Sequence, residues 1–152
     1  LIKEILENSN KYNCKITCPV DVVVSKNLED MGKDKDIKEI DDDEMILDIG
    51  PKTISSIKKI INDSNTVLWN GPAGYFENPN FQNGTKQILE IISQKTKNDK
   101  IFSVAGGGET VAAINKFKKL DSFTFVSTAG GAFLEHLEGK TLPGIKALNQ
   151  NV

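Results

Sequence analysis

The chain of 152 residues contains no arginine; all 19 basic residues are lysines. Without a guanidinium fork, any phosphate bound here must be held by backbone amides, lysine or a metal ion. Cysteine is almost absent as well. Cys14 and Cys18 stand four apart and the single histidine, His136, is distant in sequence, so a zinc shell cannot be filled. The pair is expected to be two reduced, half-buried thiols of a cytoplasmic protein. A net charge of −2 leaves no electrostatic footprint for nucleic acid or an anionic membrane. No apolar run approaches the ~20 residues of a membrane span, and the first residues do not form a signal peptide. There is no initiator Met, and the chain opens inside a helical pattern, as expected of a piece of a longer chain.

What is present reads as one globular domain with a real core, at 38% hydrophobic and 26% charged residues. Ile2, Ile5 and Leu6 predict a helix over Leu1 to Asn10, and Lys15 to Pro19 and Val20 to Val24 read as extended. Lys26 to Glu44 is polar and carries the run Asp41-Asp42-Asp43-Glu44. That run lacks the spaced ligands and glycine of a calcium loop, which predicts a solvated surface loop. From Met45 the pattern becomes regular. Strands are predicted at Met45 to Asp48, Thr66 to Trp69, Ile101 to Ala105 and Phe123 to Val126. Between and after them, Ile54, Ile57, Ile60 and Ile61, then Ile88, Leu89, Ile91 and Ile92, then Val111, Ala112, Ile114 and Phe117, then Phe133, Leu134 and Leu137 mark helix faces. The alternation predicts an α/β fold: a parallel sheet with helices on both faces, in a Rossmann-like three-layer arrangement.

The chemistry gathers after the strands. Ser103-Val104-Ala105-Gly106-Gly107-Gly108-Glu109-Thr110 runs from a strand through three glycines into a helical pattern. Free amides at a helix start, with no Cβ in the way, make a seat for phosphate, and the acidic residue and hydroxyl that follow can position a metal carried by it. Ser127-Thr128-Ala129-Gly130-Gly131 repeats the idea. The loop Asn70-Gly71-Pro72-Ala73-Gly74-Tyr75-Phe76-Glu77 adds an aromatic pair that suits a base and a carboxylate that can accept from two ribose hydroxyls. Taken alone, Glu77 reads first as a helix cap and Phe76 as core; beside the two phosphate-type turns the nucleotide reading gains the advantage. All three loops follow strands, so they share the carboxyl edge, where such sheets bind ligands.

The motifs Trp69-Asn70-Gly71-Pro72-x-Gly74-x-Phe76-Glu77, Gly106-Gly107-Gly108-Glu109-Thr110 and Ser127-Thr128-x-Gly130-Gly131-Ala132 stand in the order and spacing of the phosphoglycerate kinase family, which the chain strongly resembles. Leu137-Glu138-Gly139-Lys140-x-Leu142-Pro143-Gly144 is similar to that family's C-terminal segment. The resemblance implies that residues 1–152 are an incomplete C-terminal, nucleotide-binding domain of a two-domain kinase. It implies transfer of the acyl phosphate of 1,3-bisphosphoglycerate to Mg·ADP, giving ATP and 3-phosphoglycerate in glycolysis, by an enzyme that is a monomer at full length. By matching position, Glu77 would hold the ribose hydroxyls. Gly107, Gly108, Glu109 and Thr110 would hold the phosphates, with Glu109 on the Mg2+. Ile46, Leu47, Tyr75 and Phe76 would border the base, and Asn70 would lie near the phosphate chain. Gly106, Gly130 and Gly131 would face the transferred phosphoryl group, and Ser127 and Thr128 would absorb part of a hinge closure.

Two positions depart from the family pattern. Glu109 stands where aspartate is usual, with one more methylene to accommodate, and Ala129 stands where glycine is usual, a costly change if that position needs a positive φ. The rival readings are a non-catalytic nucleotide- or phosphate-binding module and, more weakly, a Rossmann oxidoreductase, for which no G-x-G-x-x-G with its acidic partner is present. His136 and Trp69 read as packing or surface residues. Asp48 is expected to fix the turn at Gly50-Pro51, and Lys116, Lys118 and Lys119 read as a solvated helix end. The family's substrate-binding N-terminal domain has no counterpart here, and a sheet cut within a domain is expected to leave apolar surface exposed. The chain alone is therefore expected to show no kinase turnover and at best weak nucleotide affinity, and coupled measurement of ATP formation by the purified chain checks the first.

Overall fold

The computed structural model describes residues 1–149. Helix α1 (Ile2–Lys11) is followed by strands β1 (Asp21–Ser25), β2 (Lys33–Asp36) and β3 (Met45–Ile49) and helix α2 (Pro51–Asn62). Then come β4 (Thr66–Asn70), α3 (Asn83–Lys97), β5 (Phe102–Gly106), α4 (Gly108–Lys116), β6 (Phe125–Val126), α5 (Gly131–Leu137) and α6 (Pro143–Asn149). Among the described residues no helix is long and apolar enough to cross a membrane.

The expected parallel sheet is present as β4-β5-β6, with Asn70 opposite Gly106 and Ala105 opposite Val126. Residues paired across a parallel ladder share a face. One face therefore carries Val67, Trp69, Ser103, Ala105 and Val126, and α3 and α4 cover it. Leu89 and Ile92 of α3 and Ala113 and Ile114 of α4 are fully or almost fully buried there. Leu89, Ile92 and Ile114 each contribute about 1.5–3 kcal/mol by leaving water, and the smaller Ala113 less. Trp69 is buried and stacks on Phe123 with centroids 6.0 Å apart, as a packing residue should. On the opposite face Phe133 of α5 lies against Gly106 at the carboxyl end, while Leu68, Phe102 and Phe125 are about half exposed.

Three local expectations are corrected. The strand at Met45 does not join the parallel sheet; β3 pairs antiparallel with β1, and β1 pairs with β2, in a second three-stranded sheet. Lys26 to Glu44 is not all loop. Lys33-Asp34-Lys35-Asp36 forms the edge strand β2 because β1 supplies backbone partners along its length, although no side-chain periodicity announces it. The neighbouring acidic run is engaged by lysines: Lys26 Nζ lies 2.5 Å from Asp43, and Lys35 lies 2.7 Å from Asp41 and 2.8 Å from Glu44. Hydrogen bonds to those two carboxylates push the Lys35 pKa up to about 12. Cys14 and Cys18 are exposed rather than half-buried, since the segment joining α1 to β1 packs against nothing that covers it. The N-terminal helix exists, but Ile2, Ile5 and Leu6 lie exposed along it.

The two sheets share one core, joined through Ile49, Ile54 and Ile61, and α2 packs on both β1 and α3. The start of α2 is capped from a different strand. Asp21 of β1 accepts from the amides of Lys52 (2.8 Å) and Thr53 (2.7 Å) and from the Thr53 hydroxyl (2.6 Å). A Cβ at Gly50 would stand 2.4 Å from the Asp21 carboxyl carbon, so glycine leaves the room this cap needs. Burial alone would raise the Asp21 pKa, but the Thr53 hydroxyl and the two amides outweigh it and hold the carboxyl below its usual 3.8. A carboxyl held low in the fold stabilises it above the unfolded pKa, and that contribution is lost as pH falls through the folded one. Asp21→Asn is accordingly expected to cost about 1–2 kcal/mol at neutral pH. It should also weaken the loss of stability below pH 3.8, as read by urea melts at neutral and acid pH.

Candidate functional site

The ladder that sets Asn70 opposite Gly106 brings the loops after β4 and β5 side by side. They are tied at two points. The Gly71 amide donates to the Thr110 hydroxyl at 2.7 Å, and the Asn70 side-chain oxygen fills the space beside Gly107, where a Cβ would stand 2.5 Å from it. Gly107 also has φ +92°, a region that L side chains rarely adopt. The chain then turns directly into α4, whose first-turn amides have no acceptor within the helix. Space is open at Gly108, and Glu109 is exposed, with no ion pair among the described residues.

Beside this turn lies an open cleft of about 490 Å³. Ile46, Leu47 and Tyr75 line it together with Gly71, Pro72 and Glu109, so apolar walls meet one free carboxylate. The loop over the cleft is fixed from behind. The Tyr75 amide donates to the Leu47 carbonyl at 2.8 Å, and the Ala73 and Gly74 amides donate to the buried Thr85 hydroxyl at 3.0 and 3.3 Å. Asp48, 2% exposed, accepts from its neighbour Ile49 (2.8 Å) and from Gly84 (2.7 Å) at the start of α3. Desolvation raises its pKa, while the amides of Gly84, Ile49 and Asn83 oppose that without overcoming it.

Of the residues expected at the site, the structure gathers Ile46, Leu47, Tyr75 and Glu109 at one cleft, with Asn70, Gly106, Gly107, Gly108 and Thr110 at the adjoining strand ends. Thr110 is buried and its hydroxyl already holds Gly71. Phe76 belongs to the core at 5% exposure and does not border the cleft. Glu77 is exposed further along the loop, outside the cleft lining. Gly130, at φ +54°, and Gly131 follow β6 on the same edge and start α5. Ala129 is not at positive φ, so its departure from glycine costs no backbone strain. Asp48 does not fix the Gly50-Pro51 turn, a task done by Asp21; it braces the Gly74 loop and the start of α3. Asp21 and Thr85 gave no signal in the sequence, since each acts on backbone brought close only by the fold. Lys116 is not merely part of a solvated helix end, since its ammonium reaches the carbonyls of Phe76 and Glu77.

Among the described residues there is no group of three or more His, Cys, Asp or Glu that could cage a metal. A single free carboxylate at a helix start fits a magnesium ion that arrives on phosphate oxygens and keeps several waters, and does not fit an ion held by protein alone.

Fold and site together define an open α/β protein with its glycine-rich turns collected at the carboxyl edge of a parallel sheet. A sequence profile of phosphoglycerate kinase matches residues 1–140. The phosphoglycerate kinase of Francisella philomiragia is 47% identical over 97% of this chain and 37% of its own length. That of Wolbachia pipientis from Culex pipiens is 46% identical over 97% and 38%. The solved phosphoglycerate kinase of Coxiella burnetii superposes with a TM-score of 0.89 at 40% identity, covering 98% of this chain and 38% of that one. The enzyme from Pyrococcus horikoshii gives 0.79 at 30% identity, covering 97% and 36%. The chain belongs to the phosphoglycerate kinase family, and spans 37–38% of the length of these two curated relatives.

The glycine turn yields a contrast between neighbours. Gly107→Ala combines a positive φ with a clash against Asn70 and is expected to cost about 1–3 kcal/mol. Gly108→Ala places its methyl in open space at a helix start and should stay within about 0.5 kcal/mol of the parent. Denaturant melts of the two variants decide it.

Proposed function

We propose that this chain is the later part of the Mg·nucleotide-binding domain of a phosphoglycerate kinase, carrying adenine, ribose and phosphate contacts for reversible phosphoryl transfer between 1,3-bisphosphoglycerate and ADP. The observation that carries this reading is the joining of Glu109, at the start of α4, to the apolar cleft of Ile46, Leu47 and Tyr75. The first-turn amides of α4 bind and orient the phosphate chain, with the helix dipole favouring the anion. Magnesium, when bound, neutralises phosphate charge and screens the developing negative charge of transfer. Glu109 holds that ion through one carboxylate, and Asn70, fixed against Gly107, keeps the turn from closing on itself.

Ile46, Leu47 and Tyr75 exclude water from the base, and Glu77 accepts from the ribose hydroxyls. Gly106, Gly130 and Gly131 stand on the same edge, where amides can face the transferred phosphoryl group. Positioning and charge neutralisation are most of what phosphoryl transfer needs from a protein. The phosphoglycerate side of the reaction belongs to parts of the family's longer chains that this stretch does not span. A non-catalytic module with the same turns is the less favoured reading, because the chain's relatives are kinases over 97% of its length.

An NMR titration of the chain with Mg·ADP tests this. Saturable, magnesium-dependent shifts are expected at the amides of Gly106 to Thr110 and at Glu77. Glu109→Gln should weaken Mg·ADP by about tenfold, the scale of one lost charge-assisted ligand, while leaving metal-free ADP nearly unchanged. A dispersed spectrum without shifts would overturn the reading for this chain.

A further inference from the structure

Lys116 ends α4, at the opposite end of the helix from the glycine turn. Its ammonium donates to the Phe76 carbonyl at 2.6 Å and the Glu77 carbonyl at 3.2 Å, and stands 5.9 Å from the ring centroids of both Phe76 and Phe117. A lysine in the last turn of a helix is favourable for the dipole alone. That explanation does not account for a side chain that crosses to carbonyls 40 and 39 residues away. Among the described residues Lys118 and Lys119 make no such contact, so Lys116, although exposed along its length, is set apart from the other two by where its ammonium lands.

The contact has a particular target. The Phe76 amide donates to the Gly74 carbonyl at 2.8 Å and the Asn78 amide to the Tyr75 carbonyl at 3.1 Å. With the carbonyls of Phe76 and Glu77 taken by Lys116, the backbone on both sides of Glu77 is fixed. The Glu77 side chain, by contrast, is exposed and makes no ion pair among the described residues. A rigid backbone under an unengaged carboxylate is the arrangement of a preorganised ligand group, which reduces the ordering cost of binding. The brace comes from the same helix whose first residues form the phosphate seat, so one nine-residue element sets both ends of the binding surface.

We propose that Lys116 is a positioning residue for nucleotide: it holds the Phe76–Glu77 segment so that the Glu77 carboxylate meets the ribose hydroxyls at a fixed distance from the phosphate turn. This rests on the nucleotide reading above and adds to it a residue that touches no ligand atom.

The test compares Lys116→Met, which keeps the apolar stem, and Lys116→Arg, which keeps the donors, with the parent chain. Three probes are titrated by NMR with magnesium: ADP, 2′,3′-dideoxy-ADP and pyrophosphate. Lys116→Met is expected to weaken ADP by about tenfold, the equivalent of one or two lost charged hydrogen bonds. Dideoxy-ADP and pyrophosphate should stay within about twofold, and Lys116→Arg should restore most of the ADP loss. Without ligand, amide exchange should quicken at Phe76 and Asn78 in Lys116→Met and stay unchanged in α4 and β5. Equal weakening of all three probes, no weakening of any, or unchanged exchange at the loop would overturn the assignment. A parent chain that binds ADP and dideoxy-ADP equally, or neither, overturns the ribose role of Glu77 and with it that of Lys116. That failure is read before any variant is made, so it is told apart from failure of the brace alone.

Discussion

The alignment of β4 with β5 governs almost everything functional in this chain. Because Asn70 falls opposite Gly106, the two following loops leave the sheet at the same level and must share space. They do so by a glycine that admits the Asn70 side chain and a threonine hydroxyl that takes the Gly71 amide. A slip of one residue would turn Trp69 and Ala105 out of the core and separate the carboxylate from the apolar wall. The site is thus a property of strand register before it is a property of any side chain.

Two buried carboxylates, Asp21 and Asp48, do parallel work with opposite electrostatic outcomes. Each receives backbone amides at the start of a helix that follows in sequence, α2 or α3. Asp21 adds a hydroxyl donor and stays readily ionised; Asp48 lies among apolar neighbours and is driven toward its neutral form. The difference follows from solvation and donor type, since both are aspartates at strand positions. Both shape the binding edge from behind: Asp48 beneath the loop that carries Tyr75, Asp21 through the antiparallel sheet whose β3 supplies Ile46 and Leu47.

Much of this was legible in the sequence. Isoleucine and leucine spacings located α2 and α3, and Ile114 with Phe117 located α4, although Ala113 rather than the expected Ala112 turns inward. The apolar runs before each glycine cluster located β4, β5 and β6, because burial against a covered sheet face leaves those patterns. The glycine turn with Glu109 was legible for a related reason: a close backbone approach tolerates few residue types. The edge strand β2 was not, since four alternating charges carry no burial signal and its partner's backbone decides its shape. Phe76 was placed on the base by its position in a motif, but its ring fills the core and only its carbonyl contributes at the surface. Asp21, Thr85 and Lys116 escaped notice because they act on main-chain atoms about 12 to 40 positions away, and no local pattern encodes such a contact.

The packing around Asp48 bears on how this lineage can vary. A methyl group at Gly74 and one at Gly84 would each stand 2.3 Å from the same Asp48 oxygen, though the two glycines belong to different elements. The three positions therefore behave as a single heritable unit. A side chain gained at either glycine is barred while the carboxylate remains, and shortening the aspartate strips the amide of Gly84 of its acceptor. Drift has few one-step paths out of such a set, and divergence there should proceed by paired replacements or not at all.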